Sequence, residues 1–416
     1  MATIKPFKAF RPTKNIVSQV AALPYDVVTT EEAKKMVRGN KYSFLRIDRP
    51  EIDFEYPIDI YDKRVYEKAR ENLNKMIEEK VYVQDEFPCL YIYQLNRQNR
   101  IQKGIVACTS IDDYLENVIK KHEHTLQEKE QDRINHVDYT NAHTGPILMT
   151  YNEKKEITKL VDDWTCAHTP IYDFVSSDNV TQTVWIIDDK EVIDKLINLF
   201  HQVEALYIAD GHHRAAAAVQ VCKNRRAENP THTGSEEYNY FLSVIFPDNQ
   251  LTIYEYNRVI KDLDGLNEKE LLEKIMENFE LVYEGEEQYV PKQRHFFGMY
   301  LKDQWFGFKV KPNRFDKNNP VDCLDVSILH NLIISPIFNI SDPRSNNRID
   351  FIGGAKGLTE LEKRVNSGEM KIAFTLFHTP IEDLIRIADA GCIMPPKSTW
   401  FEPKLQSGIF IHSMSE

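Results

Sequence analysis

Glu204-Ala-Leu-Tyr-Ile-Ala-Asp-Gly-His-His-Arg-Ala-Ala-Ala-Ala-Val219 changes character in its middle: an apolar, strand-like run stops at Asp210-Gly211 and an alanine-rich run follows at once. The stretch reads as strand, tight turn and helix. Gly211 supplies a permissive backbone for the turn, and the alanines are strong helix formers that let the new helix lie close against a sheet. The helix therefore begins near His212. Its first N–H groups have no partner inside the helix and carry the positive end of the dipole, so an anion sits well there. One Asp or Gly before a helix is an ordinary cap. An acid, two imidazoles and a guanidinium within five positions (Asp210, His212, His213 and Arg214) point instead to a phosphate-handling site.

The chain has 416 residues, enough for two or three domains with sizeable cores. With 42% hydrophobic and 28% charged residues it has the composition of an ordinary soluble globular protein. Its net charge of −12 argues against a large nucleic-acid footprint, which needs a clustered basic surface, but leaves room for a small anion in a local basic pocket. Met1 to Arg11 alternates apolar and basic residues without an apolar core, so it does not read as a secretory leader. No stretch approaches the roughly 18 uncharged apolar residues of a membrane helix. The six cysteines, at 89, 108, 166, 222, 323 and 392, include no C-x-x-C pair and read as buried thiols in a reducing cytoplasm.

Upstream, Pro24 keeps its predecessor out of the helical region and puts Tyr25 and Asp26 on a loop or strand edge. The stretch 59–80 is a long amphipathic helix, and 89–95 with 103–110 a hairpin. After Lys120-Lys-His-Glu-His-Thr-Leu126, a charged helix runs from Gln127 to Val137. Strands are expected at 147–151, 169–175 and 181–187, with a helix over 191–202, so the middle of the chain alternates strands and helices as mixed α/β domains do. A second hairpin is expected from 240–247 and 251–258. Beyond Arg258 the texture changes to a C-terminal α+β region. The expected division is therefore 1–258, the N-terminal and central α/β region, and 259–416, contributing loops to the site.

Five motifs occur in order: Pro24-Tyr-Asp-Val27, His122-Glu-His-Thr125, Ala209-Asp-Gly-His-His-Arg214, Phe351-Ile-Gly-Gly354 and Met394-Pro-Pro-Lys-Ser-Thr399. In these the chain resembles the bacterial family catalogued as domain of unknown function 1015. That family in turn looks like the ParB/sulfiredoxin-like superfamily, which includes the ADP-dependent free serine kinases. The resemblance implies a ParB/sulfiredoxin-like nucleotide-binding core with a mixed sheet. It further implies that Asp210-Gly211-His212-His213-Arg214 holds nucleotide phosphates, and that Glu123, following His122, is the base taking a proton from a serine hydroxyl.

The chemistry of the residues is compatible with that. Phosphoryl transfer needs positive charge on the phosphate, an aligned nucleophile and a proton acceptor. His212, His213 and Arg214 supply charge and donors, Arg214 in bidentate fashion, and Asp210 could hold Mg²⁺ or orient a histidine. Lys397, Ser398 and Thr399 form a rigid loop between prolines that could bind phosphate. Tyr25, Asp26, His122, His124 and Arg133 are candidates for a substrate loop, and His122 and His124, two apart, would share one face of a strand. The expected function is a cytoplasmic nucleotide-binding phosphotransferase using ADP or ATP with Mg²⁺ on a small hydroxy metabolite, with serine or phosphoserine the first choice. Its alternatives are a non-catalytic nucleotide-binding regulator and a metal-dependent hydrolase using His122, His124, His212 and His213. No membrane or nucleic-acid partner is expected.

Overall fold

The computed structural model describes residues 1–415. The chain forms two compact units, one from Met1–Leu251 together with the segment from Pro403 onward, the other from Thr252–Glu402. The expected single cut after Arg258 is thus replaced by two crossings of the chain.

The first unit is built on a nine-stranded mixed sheet. In chain order its strands are β1 (Ile4–Lys5), β2 (Leu90–Arg97), β3 (Arg100–Ser110), β4 (Ile119–Lys120), β5 (Ile147–Tyr151), β6 (Tyr172–Val175), β7 (Thr181–Ile187), β8 (Leu206–Asp210) and β9 (Tyr240–Pro247). Their order across the sheet is β4-β8-β5-β9-β3-β2-β7-β6, with β1 on β3. β2 and β3 form the expected hairpin, and its two loop residues, Gln98 and Asn99, both take positive φ, as a twist-matched two-residue turn requires. Helix α1 (Lys63–Glu78) packs on α2 (Gln127–Thr140) and on a separate apolar cluster with Val20 and Phe44, while α2, α3 (Lys155–Ala167), α4 (Lys190–Phe200) and α5 (His212–Glu228) cover the sheet. The alanines of α5 are buried, which lets it pack against both α2 and the sheet.

The expected hairpin of 240–247 with 251–258 does not form. β9 lies parallel to β5 and antiparallel to β3, while Tyr256–Ile260 joins the sheet of the second unit. Both edges of β9 are taken by β5 and β3, which leaves none for a hairpin partner. The cysteines also depart from expectation. Cys89, Cys108 and Cys222 are buried, but Cys166 is exposed and Cys323 and Cys392 are half-buried; none is in a disulfide. Cys166 lies in the last turn of the amphipathic α3, whose core-facing positions are Ile157, Val161 and Trp164.

The second unit carries a six-stranded antiparallel sheet: β10 (Tyr256–Ile260), β11 (Phe279–Gly285), β12 (Phe296–Leu301), β13 (Gln304–Val310), β14 (Ile349–Gly353) and β15 (Ile372–Leu376), in the order β11-β13-β12-β15-β10-β14. A small antiparallel pair, Thr252–Tyr254 with Trp400–Glu402, closes its two ends. A helical run starts at Asp325 and continues to Phe338 with a π-helical segment at His330–Ile334.

The segment after Pro403 is held to the first unit by bridges Ala22↔Ser407 and Phe10↔Ile411 and by the pair His412↔His143. Gly408 is the tight point: its φ is +85°, its carbonyl accepts from the Tyr82 hydroxyl at 2.7 Å, and a Cβ there would meet the Phe44 side chain at 2.5 Å. Gly408→Ala is therefore expected to destabilise the first unit by roughly 2–4 kcal/mol, adding backbone strain to overpacking. Urea unfolding checks this, and an unchanged midpoint would contradict it.

Candidate functional site

The site begins at the end of β8. This strand runs parallel to β4 and antiparallel to β5, and its register on β5 shifts between Ile208 and Asp210. Such a bulge turns the terminal side chain away from the regular pleat. Gly211 follows in the left-handed region (φ 95°), and α5 starts at His212. Among the described residues no side chain caps this 17-residue helix, and its first turn holds no acid. The first helical bond onto the turn runs from the Ala215 N–H to the Gly211 carbonyl at 2.9 Å. The amides of His212, His213 and Arg214 precede it and point out of the helix start.

Charge gathers around that helix start. Lys404 Nζ lies 2.8 Å from Asp210 Oδ2. Burial alone would raise the Asp210 carboxyl, but Lys404 and then Arg214 outweigh it and hold the group well below the ordinary carboxylate range. The Arg214 side chain folds back against Gly211, where a Cβ would come within 3.1 Å of it, and donates to the Pro146 carbonyl. Glycine is thus required at 211 for its backbone angle and also for the space its arginine neighbour uses.

β4 brings in the second wall. Ile119 and Lys120 pair in parallel with Leu206 and Tyr207, so the chain just beyond, at His122 and Glu123, arrives beside the end of β8. His122 and His212 are buried, their rings perpendicular with centroids 4.5 Å apart. Glu123 Oε2 is 3.7 Å from His212 Nδ1, with 46% of the glutamate side chain exposed. His213 Nε2 accepts from the Leu126 N–H at 3.1 Å, fastening the end of that loop to α5.

A third wall lies behind Arg214. A cavity of about 20 Å³ is lined by Tyr25, Asp48, Arg133, His136, Thr144, Gly145, Arg214 and Ser407 among others. The Arg133 guanidinium carbon sits 3.9 Å from the Tyr25 ring centre, a cation–π contact. Asp48 accepts from the Thr144 hydroxyl at 3.2 Å, and His136 Nε2 is 3.2 Å from that hydroxyl. Burial pushes the Asp48 carboxyl up, with Arg133, Ser407 and Arg214 pulling the other way.

The fold thus gathers Tyr25, His122, Glu123, Arg133, Asp210, Gly211, His212, His213 and Arg214 around one strand end. Asp26 is adjacent but exposed. His122 and His124 do not share a strand face: both lie on a loop, His122 buried and His124 exposed, because β4 ends at Lys120. Lys397, Ser398 and Thr399 belong to the second unit. There Lys397 takes a positive φ with its ammonium 5.4 Å from the Tyr256 ring, and the Ser398 hydroxyl donates to the Pro395 carbonyl. Sequence reasoning missed Lys404, Asp48, Thr144 and Ser407. For Asp48 a signal existed, a carboxylate closing the apolar run from Phe44; for Lys404 nothing local distinguished it from a surface lysine.

The sequence matches the family described as "Protein of unknown function (DUF1015)" over residues 4–327, and the chain belongs to that family. No curated protein sequence matches it. Solved structures with some similarity include a free serine kinase in complex with AMP, at 13% identity and TM-score 0.36 over 74% of this chain and 91% of that one. A conserved hypothetical protein from Pyrococcus furiosus has 13% identity and TM-score 0.35 over 74% of this chain and 95% of that one. SbnI with C-terminal truncation from Staphylococcus aureus has 10% identity and TM-score 0.36, over 74% and 87%. No helix among the described residues is long and apolar enough to cross a membrane.

His136, one of two buried histidines lining the cavity, makes stability depend on pH. Burial, reinforced by Arg133, drives His136 well below its ordinary value, so it stays neutral in the folded protein. Below about pH 6.5 the unfolded chain then holds a proton that the folded one does not, and stability falls as the solution is acidified, by up to about 1.4 kcal/mol per pH unit for one such group. Denaturant unfolding at pH 7.5 and pH 5 is expected to show lower stability at pH 5, with a shallower loss in His136→Gln. An equal loss in the variant would contradict this origin.

Proposed function

We propose that this DUF1015 protein is a nucleotide-binding phosphotransferase that moves a phosphoryl group between an adenine nucleotide and a small hydroxy metabolite, serine or phosphoserine being the first choice. One observation carries the reading: a long helix starts at a strand end with no capping side chain and no acid in its first turn, between the cations Arg214 and Lys404. The dipole of the uncapped helix start and the guanidinium beside it together suit the phosphate chain of a nucleotide. The choice of adenine nucleotide and of serine rests on the resemblance of Asp210-Gly-His-His-Arg214 to the phosphate-holding element of the free serine kinases.

In this reading Glu123 accepts the proton of the substrate hydroxyl, whose oxygen attacks the terminal phosphorus. The bond from phosphorus to the nucleotide's bridging oxygen breaks, and that oxygen keeps the electron pair. Arg214 and the amides at the start of α5 stabilise the charge on the transferring and departing phosphates. Asp210, 30% exposed at the strand end with one oxygen on Lys404, is the carboxylate that would hold Mg²⁺. Bound there, the ion would neutralise phosphate charge. Tyr25, Asp26 and Arg133 remain candidates for the substrate side.

Phosphoryl transfer assayed with ADP, ATP and AMP against serine and phosphoserine tests the reaction. Turnover with at least one pair is expected, and none at adequate Mg²⁺ would overturn the serine version. Glu123→Gln is expected to lower turnover about 10²- to 10⁴-fold with nucleotide affinity retained. Arg214→Ala is expected to abolish most of the thermal stabilisation by nucleotide, each protein being compared with its own ligand-free melting temperature. Equal stabilisation in the variant would remove the phosphate site from this helix start.

A further inference from the structure

Two buried imidazoles of the first unit carry nitrogens that the chain leaves unsatisfied. His122 is 2% exposed, and the backbone of Ile208 engages only one of its two ring nitrogens; His212 is 4% exposed and its Nε2 is unpartnered. Buried polar atoms are nearly always hydrogen-bonded, and one left unmade forfeits its hydration for nothing. An apolar ring at position 122 would fill the same space without that cost. Two such atoms, one on each of two perpendicular rings with centroids 4.5 Å apart, call for a ligand from outside the chain.

We propose that His122, His212 and Glu123 form a binding site for a divalent transition-metal ion of the zinc class, with one coordination position open to solvent. One donor atom from each of the three residues lies within 4.8 Å of the other two. A point therefore exists within about 2.8 Å of all three, and bonds of about 2.0–2.2 Å need each side chain to close by less than an ångström. Two imidazoles with one carboxylate suit zinc, cobalt or nickel and not magnesium or calcium, which take oxygen ligands. Three protein ligands with a solvent-facing side is the arrangement of zinc sites that do chemistry, structural sites being closed by four. Glu123, 46% exposed, provides that open side.

A phosphate could also satisfy the orphaned nitrogens. The Glu123 carboxylate 3.7 Å from His212 Nδ1 argues against it, because it repels an anion and attracts a cation. The set also differs from the four histidines suggested by the sequence. His124 is exposed, and His213 already accepts the Leu126 N–H. The metal site does not depend on the nucleotide reading: Glu123 ligates through one carboxylate oxygen and keeps the other for a proton, and the experiment contains no nucleotide.

The full-length protein, stripped with a chelator and dialysed, is titrated separately with Zn²⁺, Co²⁺, Mg²⁺ and inorganic phosphate. About one equivalent of Zn²⁺ or Co²⁺ is expected to bind, the cobalt form showing the visible d–d absorption of a four- or five-coordinate site with nitrogen ligands. Glu123→Gln and His122→Gln are each expected to weaken binding at least tenfold. Glu123 is exposed, so its variant tests the site even if the buried substitution impairs folding. Absence of stoichiometric Zn²⁺ or Co²⁺ binding, or unchanged metal affinity in Glu123→Gln, would each overturn the proposal.

Discussion

The left-handed turn at Gly211 is the constraint on which the site depends. It allows the last residue of a strand and the first residue of a long helix to be separated by one position, with the helix start uncapped by any side chain. Any side chain at 211 would be strained at φ 95° and would crowd the Arg214 guanidinium. Arg214 itself is anchored on the Pro146 carbonyl, so the turn fixes both the helix start and the cation beside it. The register shift before Asp210 and the burial of the α5 alanines serve the same geometry, aiming the carboxylate outward and drawing the helix against the sheet.

Electrostatics at this point run against the chain as a whole. The protein carries a net charge of −12, yet Arg133, Arg214 and Lys404 gather within one small region of the first unit. Asp210 and Asp48 are the acids among them, and the two behave oppositely: Asp210 is held ionised chiefly by Lys404 despite burial, whereas burial prevails at Asp48. Local pairing, and not net charge, decides what an anion meets there.

Much of this was legible in the sequence wherever the signal was local. The turn at Asp210-Gly211, the helix from His212, the hairpin of β2 and β3 and the mixed α/β character all follow from neighbouring residues. What was not legible depended on distant pairing. β9 reads as half of a hairpin because it is followed by a polar turn, but both its edges are taken by β5 and β3, strands distant from it in sequence. His122 and His124 look equivalent on spacing, but β4 ends two residues before them and the loop buries only one. Lys404 lies 194 residues from Asp210, and nothing near it in sequence marks its role.

The central claim is that phosphate is held at the start of α5. A crystal structure of the protein with ADP and Mg²⁺ tests it most directly. The account predicts the terminal phosphate within hydrogen-bonding distance of the amides of His213 and Arg214 and of the Arg214 guanidinium. A nucleotide bound elsewhere, with those amides facing only water, would contradict it.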